Sequence, residues 1–332
     1  MKKRNRLSIE DYKSGVLSGD RIALSRAITL VESTLDEDNE LAAQLIDEIY
    51  QYTGNSFRVG ITGVPGVGKS TFIESFGAYI LEEGKKLAVL TIDPSSQKTG
   101  GSILGDKTRM EKLSQSKNAF IRPSPSGDAL GGVAQKTRES MLLCEAAGFD
   151  VIFVETVGVG QSETSVKNMV DFFLLLMLAG AGDELQGIKK GIMEMADTIA
   201  INKADGNNIE ATKRAKKEFQ NALHLFPANE NGWIPKVHIC SALENKGLTE
   251  IWQLLLEFQS QQKESGFFDR NRKEQSVHWM HQTIHHFLKR NFYKSPEVKG
   301  NLLKFEEAVR LGNKHSVQAA RILLENYFKK LS

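Results

Sequence analysis

The sequence is poor in cysteine, has no long apolar run and carries almost no net charge. Only Cys144 and Cys240 occur in 332 residues. Both have apolar neighbours (Leu142-Leu143-Cys144 and Val237-His238-Ile239-Cys240), so buried, reduced thiols are expected. A Cys-spaced metal site is excluded. The longest apolar run, Phe172 to Ala179, is far below membrane-spanning length. It fits a strand buried on both faces of a parallel sheet. A net charge of +2 gives no reason to expect a nucleic-acid or membrane partner. The basic start, Met1-Lys2-Lys3-Arg4-Asn5-Arg6, lacks the apolar core of a signal peptide and is too short for an organelle presequence, so a cytoplasmic location is expected. Internal repeats and low-complexity segments are also missing.

What is present is a globular composition, 40% hydrophobic and 25% charged, on a chain long enough for one large domain with appendages. Residues 1–56 carry apolar side chains at helical spacing (Ile22, Leu24, Ala27, Ile28, Val31; then Leu41, Leu45, Ile46, Ile49) and are expected to form a helical extension. From 57 to 264, strands at 57–62, 87–93, 119–122, 150–155, 171–178, 197–202 and 236–240 alternate with helices, notably 69–83, 132–148, 206–223 and 245–262. Such alternation predicts an α/β fold with a mostly parallel sheet flanked by helices. Residues 265–332 show no strand pattern and read as a helical tail, with helices near 275–292, 297–311 and 315–330, which could pack on its own domain or on a partner subunit, dimerisation being the expected role.

The most informative segment is Gly63-Val64-Pro65-Gly66-Val67-Gly68-Lys69-Ser70, which matches the phosphate-loop pattern G-x-x-x-x-G-K-[ST] at every fixed position. A strand precedes it and a helix opening with Thr71 follows. Glycines let the backbone N–H groups wrap a polyphosphate, and the helix N-terminus adds its positive dipole end. Lys69 is placed to reach the β- and γ-phosphate oxygens, and the Ser70 hydroxyl to ligate Mg²⁺.

A second motif addresses the base. Strand 197–202 delivers Asn202-Lys203-Ala204-Asp205, an N-K-x-D tetrad. The Asp205 carboxylate can accept from the ring N–H and the exocyclic amine of guanine, and adenine offers no such pair. Hydrogen bonds to a charged group contribute about 1.5–3 kcal/mol each, enough to discriminate strongly against ATP. The Lys203 stem can lie along the base, and Asn202 can tie this loop to the phosphate loop. The turn Ser241-Ala242-Leu243, after the last strand, can bring backbone N–H groups to the guanine carbonyl. Alone, an N-K-x-D tetrad is often a polar helix-start loop. Three motifs in this order, each at a strand end, point to a GTPase.

Asp93 and Glu155 end two further strands. Carboxylates beside a phosphate loop suit hard Mg²⁺, directly or through water. Glu155 with Gly158 also forms an E-x-x-G turn whose glycine N–H could sense the γ-phosphate, although Asp is the commoner residue there. Lys69, Asp93 and Glu155 are therefore the candidate catalytic residues. Loops 94–106, 156–163 and 179–191 are candidate switches. Lys189 and Lys190 on the last are expected to report partner engagement. His278, His281 and His285 lie three and four apart, but the stripe Val277, Met280, Ile284 and Phe287 beside them favours a packed helix over a metal site.

The sequence resembles the methylmalonyl-CoA mutase-associated GTPase family (MeaB/ArgK type, related to the human cobalamin-A protein). The resemblance rests on Leu17-Ser18-Gly19-Asp20-Arg21, the stretch Arg26 to Ser33, Gly60 to Gly66 and Thr91-Ile92-Asp93-Pro94-Ser95-Ser96. It continues through Gly100 to Met110, Glu155-Thr156-Val157-Gly158-Val159-Gly160-Gln161-Ser162-Glu163 and Gly182 to Gly191. It covers about residues 8–263, and Glu155 is what this family carries. The resemblance implies a P-loop NTPase fold and a homodimer that hydrolyses GTP to GDP and phosphate. It implies a chaperone that gates cofactor loading into adenosylcobalamin-dependent methylmalonyl-CoA mutase and protects or reactivates that enzyme. Ser70, Asp93, Asp106 and Glu155 would surround Mg²⁺, and the 182–191 loop would meet the mutase. Cobalamin is expected on the partner, because no Asp-x-His-x-x-Gly motif occurs in this sequence. A nickel-type metallochaperone GTPase, a P-loop kinase and a scaffold with negligible turnover are the competing readings.

Overall fold

The computed structural model describes residues 6–93, 110–125, 130–156, 162–180, 190–227 and 229–331. Three helices come first: α1 (Ile9–Leu17), α2 (Arg21–Val31) and α3 (Asp36–Ile49). The α/β region follows with β1 (Phe57–Gly63), α4 (Lys69–Glu82), β2 (Leu87–Asp93), α5 (Glu111–Gln115), β3 (Ala119–Pro125), α6 (Leu130–Ala146), β4 (Val151–Thr156), α7 (Ser162–Lys167), β5 (Phe172–Leu178), α8 (Lys190–Met195), β6 (Thr198–Asn202), α9 (Ile209–Leu223), β7 (Lys236–Ile239) and α10 (Leu248–Glu264). The chain ends with α11 (Phe267–Lys294), α12 (Pro296–Arg310) and α13 (Ser316–Leu331).

The seven strands form one sheet in the order β3-β2-β4-β1-β5-β6-β7, and every pairing is parallel. All seven stand where the alternating pattern predicts them. β1 is buried at every position, as a strand covered on both faces must be. Strand order changes direction at β1, between β4 and β5, and this is where such sheets open a crevice at their carboxyl ends.

On one face Phe76 of α4 stacks on Phe153 of β4, with centroids 5.7 Å apart. Phe172 of β5 meets Phe258 of α10 edge-on. The N-terminal helices belong to the same unit. Asp20 caps α2 by accepting from the Ile22 and Ala23 amides at 2.7 and 3.0 Å. Apolar residues of α2, among them Ala27 and Ile28, are buried as α2 packs on α6. Arg58 of β1 donates two hydrogen bonds to Glu145 of α6, at 2.8 and 2.9 Å, tying the first strand to that helix.

Two sequence expectations shift. Asp197 precedes β6 instead of opening it. Its buried carboxylate accepts from Lys167 of α7 and from the Phe173 amide of β5, while its own amide donates to the Phe173 carbonyl, so it ties β5 and α7 to the start of β6. The tail helix expected from 275 begins at Phe267, because Gly266, at φ +69°, ends α10 and lets a new helix start at once.

The chain forms two compact units, Met1–Gln275 and Ser276–Ser332, dividing within α11. In the second, an apolar groove of about 800 Å³ runs between the end of α11, α12 and α13, with Phe292 and Tyr327 edge-on at 5.4 Å. Among the described residues, no helix is long and apolar enough to cross a membrane.

Candidate nucleotide site

β1 emerges at the centre of the sheet and ends at Gly63. A side chain there is impossible without a shift: its Cβ would lie 2.5 Å from the Leu176 carbonyl oxygen of β5. Val64 and Val67 turn inward and are buried, while Pro65 and Gly66 are exposed at the tip. Gly68, at φ +88°, takes the left-handed conformation that turns the chain into α4. Ser70 and Thr71 then stand in the first turn of α4, beside the phosphate loop.

Lys69 folds back over this loop, and its ammonium donates to the Gly63 carbonyl at 2.9 Å. Burial pushes its pKa below the ordinary lysine value, against the pull of the Glu155 and Glu163 carboxylates. The side chain is thus held over the loop by a neutral acceptor and by two carboxylates near enough to act on it.

The base-side loop is bolted to the phosphate loop. Asn202, at the end of β6, is buried, and its amide donates to the Val67 carbonyl at 2.9 Å. Its carbonyl oxygen accepts from the Ala242 N–H at 3.1 Å and from the Cys240 thiol at 3.7 Å. Burial pushes the Cys240 thiol up to about 12, so it remains protonated as a donor. Lys203 sits at φ +60°, and its ammonium donates to the Gly66 carbonyl at 2.8 Å. Asp205 accepts from the Ser241 hydroxyl. Ser241 also pairs with Lys246 through two backbone hydrogen bonds of 2.9 and 3.0 Å, which close the turn holding Ala242 and Leu243. Leu243 is exposed at its tip. One cluster thus holds Gly63 to Thr71, Asn202, Lys203, Asp205 and the 241–243 turn.

Glu155 lies next to last in β4, in register with Ile61 of β1 and Thr91 of β2. Asp93 closes β2 opposite Pro125. The Asp93 side chain and Asp106 fall outside the described residues, as do 94–109, 157–161, 181–189 with Lys189, and the Lys190 side chain. Among the described residues, no three His, Cys, Asp or Glu side chains assemble into a metal site. That includes His278, His281 and His285. The stripe beside them is not packed as expected: Val277, Met280, Ile284 and Phe287 are 43–53% exposed.

Several contacts escaped sequence reasoning. The Ser75 hydroxyl of α4 donates to the Ala242 carbonyl at 2.7 Å, linking the phosphate-loop helix to the base-side turn. Glu74 of α4 accepts from the Lys112 and Leu113 amides at 2.6 and 3.4 Å and so caps α5. Thr156 donates to Thr62. Each joins residues far apart in sequence, and no local pattern announces them.

Comparison with known proteins agrees with this geometry. A family model described as "Methylmalonyl Co-A mutase-associated GTPase MeaB" matches residues 24–297. A Caulobacter vibrioides protein named "Putative GTPase" is 50% identical over 318 residues, spanning 96% of this chain and 97% of that one. The mouse "Methylmalonic aciduria type A homolog, mitochondrial" is 44% identical over 329 residues, spanning 96% and 79% respectively. Among solved structures, one described as "Crystal structure of LAO/AO transport system kinase" superposes with a TM-score of 0.75 at 39% identity, covering 98% of this chain and 99% of that one.

Proposed function

This chain belongs to the methylmalonyl-CoA mutase-associated GTPase family, and from that premise we propose that its GTPase cycle serves an adenosylcobalamin-dependent methylmalonyl-CoA mutase. In this reading the chain gates delivery of intact cofactor to the mutase and protects or reactivates it. Cobalamin stays on the partner, and the cycle runs in the cytoplasm. The observation that carries the reading is the Asn202 bridge. One side chain holds both the Val67 carbonyl of the phosphate loop and the Ala242 amide of the base-side turn, so base and phosphates are read by one rigid unit.

The residues take the following roles. Asp205 accepts from the guanine N–H and amine, with Ser241 holding its carboxylate in place. The Lys203 stem lies along the base. Lys69 leaves the Gly63 carbonyl for the β- and γ-phosphate oxygens, which it neutralises as charge shifts during transfer. The backbone of Gly63 to Ser70 wraps the phosphates, with Thr71 behind it on α4.

Ser70, Asp93, Asp106 and Glu155 offer oxygen donors alone, which suits Mg²⁺ and not a softer metal. The proximity of Glu155 to Lys69 supports a carboxylate at the phosphate end of the site. When bound, Mg²⁺ would neutralise phosphate charge and orient the β- and γ-oxygens.

The chain is also proposed to act as a homodimer through its tail. The exposed stripe Val277, Met280, Ile284 and Phe287 and the apolar groove of the second unit support this. Surface of that kind is normally covered.

Cofactor loading is the direct test. Apo-mutase and adenosylcobalamin are mixed with the wild-type chain plus GTP or a non-hydrolysable analogue, and holo-mutase is followed by its absorbance. Loading should depend on the chain and stall with the analogue. Loading indifferent to both would remove the mutase from the account.

A further inference from the structure

We propose that Glu163 is a positioning residue for GTP hydrolysis: its buried carboxylate, mounted on α7, holds the Lys69 ammonium over the phosphate loop from the side opposite Glu155. The inference rests on the phosphate-end role proposed above for Lys69 and adds a residue to it. None of the nucleotide-binding motifs assigns Glu163 a task.

The mount comes first. Helix α7 packs on β1 and β4. It approaches closely because residue 60 of β1 is glycine. A Cβ on Gly60 would lie 2.8 Å from the Phe173 ring, 3.0 Å from Val166 Cγ1 and 3.1 Å from Val170 Cγ2. Lys167, next along α7, donates to the buried Asp197 carboxylate at 2.6 Å and anchors the helix on another side.

Glu163 lies three residues before Val166, on the same face of α7. Three helical residues rise about 4.5 Å, and one strand residue about 3.3 Å. Side chains of a strand alternate between faces, so Gly60 and Thr62 share the face that α7 covers. Glu163 therefore stands near the level of Thr62, one residue before Gly63. It is 1% exposed, as that place requires. Helical side chains lean towards the helix N-terminus. For α7 this is the carboxyl end of the sheet, because the helix follows β4 and leads back to the start of β5.

Glu155 comes from the other face of the sheet. It pairs with Ile61 and shares its face with Phe153, which stacks on Phe76 of α4. Each face thus carries one carboxylate, and Lys69 meets the Gly63 carbonyl at the end of the strand between them. Both act on the ammonium: burial lowers the Lys69 pKa, and Glu155 and Glu163 oppose that shift. Their tasks then divide. With Glu155 given to Mg²⁺, Glu163 is the carboxylate that goes on holding Lys69. A lysine side chain has much rotamer freedom, and fixing it before the nucleotide arrives spares that ordering at binding. A carboxylate also repels phosphates. The two effects have opposite signs, so a measurement separates them.

The test is a double-mutant cycle on the full chain, read by isothermal titration with a non-hydrolysable GTP analogue. The four proteins are the wild type, Glu163→Gln, Lys69→Ala and the double variant. Glu163→Gln keeps the shape of the side chain and removes its charge. It should weaken binding about tenfold where Lys69 is present and lower GTP turnover. In the Lys69→Ala background it should leave binding unchanged or slightly tighter. A carboxylate with a structural role alone would weaken binding alike in both backgrounds. Should Glu163→Gln melt early, Glu163→Asp replaces it in the cycle. Its charge on a shorter stem should cost about two- to threefold, again only where Lys69 is present. Equal weakening in both backgrounds would overturn the proposal, as would unchanged or tighter binding in Glu163→Gln alone. Lys69→Ala that binds and hydrolyses GTP like the wild type would instead remove the phosphate-end reading, and this inference with it.

Discussion

Thr156 donates its hydroxyl proton to the hydroxyl of Thr62 at 2.7 Å, and both residues are fully buried. Thr62 is the last residue before the phosphate-loop pattern, and Thr156 follows Glu155. One hydrogen bond thus joins the strand that feeds the loop to the strand that carries the acidic residue. Thr156→Val should leave the Thr62 hydroxyl buried without its partner, costing about 1–3 kcal/mol. The double change Thr62→Val/Thr156→Val should cost less than the sum of the two singles. Urea unfolding of the four proteins measures this, and strict additivity would show that the pair does not interact.

Asn202→Ala removes the donor to Val67 and the acceptor for Ala242 together. GTP affinity should fall about tenfold or more, equivalent to roughly 1.4 kcal/mol. Asp205→Asn should act differently. It should cripple GTP binding but improve binding of xanthosine triphosphate, whose carbonyl replaces the guanine amine and can accept from Asn. Titration with both nucleotides separates a lost scaffold from a changed specificity. Unchanged GTP preference in Asp205→Asn would remove that residue from the base site.

Lys69 gives a pH prediction with a defined sign. Burial lowers its pKa in the free protein, whereas bound phosphates favour the charged form and raise it. Below the free pKa the ammonium is already present and binding takes up no proton. Above it, binding must take up a proton, so affinity falls as pH rises. GTP affinity should therefore decline at a pH below the ordinary lysine range. Lys69→Arg should flatten that decline, because arginine does not titrate there. Isothermal titration in buffers of different ionisation enthalpy reads the proton uptake directly.

Glu74 stands one turn beyond Ser70 on α4 and caps α5, which begins just after residues 94–109. If Asp106 serves Mg²⁺ as proposed, Glu74 helps fix the end of its segment. Loss of a cap costs about 0.5–2 kcal/mol. Glu74→Ala should raise the Mg²⁺ concentration that supports half-maximal hydrolysis by about two- to tenfold, and Glu74→Gln, still an acceptor, should recover most of the loss. Equal Mg²⁺ dependence in all three proteins would confine Glu74 to a structural role.

The legible parts of the molecule are those dictated locally. The phosphate loop is readable because its backbone needs glycine where φ is positive, as at Gly68, and where a neighbouring strand crowds the Cβ, as at Gly63. The strands are readable because burial on two faces demands continuous apolar runs, as in Phe172–Leu178. The tie from Asn202 to the phosphate loop follows from the chemistry of the N-K-x-D tetrad. Strand order is not readable, because it depends on pairings such as Leu87 with Val151. The Thr62–Thr156 and Ser75–Ala242 contacts depend on that order in turn. The α11 stripe misled for a related reason: periodicity shows that a face is apolar, not what covers it.

The most direct measurement is GTP turnover by the purified full chain, with and without saturating adenosylcobalamin-dependent methylmalonyl-CoA mutase. The account predicts GTP hydrolysis with ATP ignored, a saturable acceleration by the mutase, and no turnover in Lys69→Ala under either condition. Turnover unaffected by the mutase, or undiminished in Lys69→Ala, would contradict it.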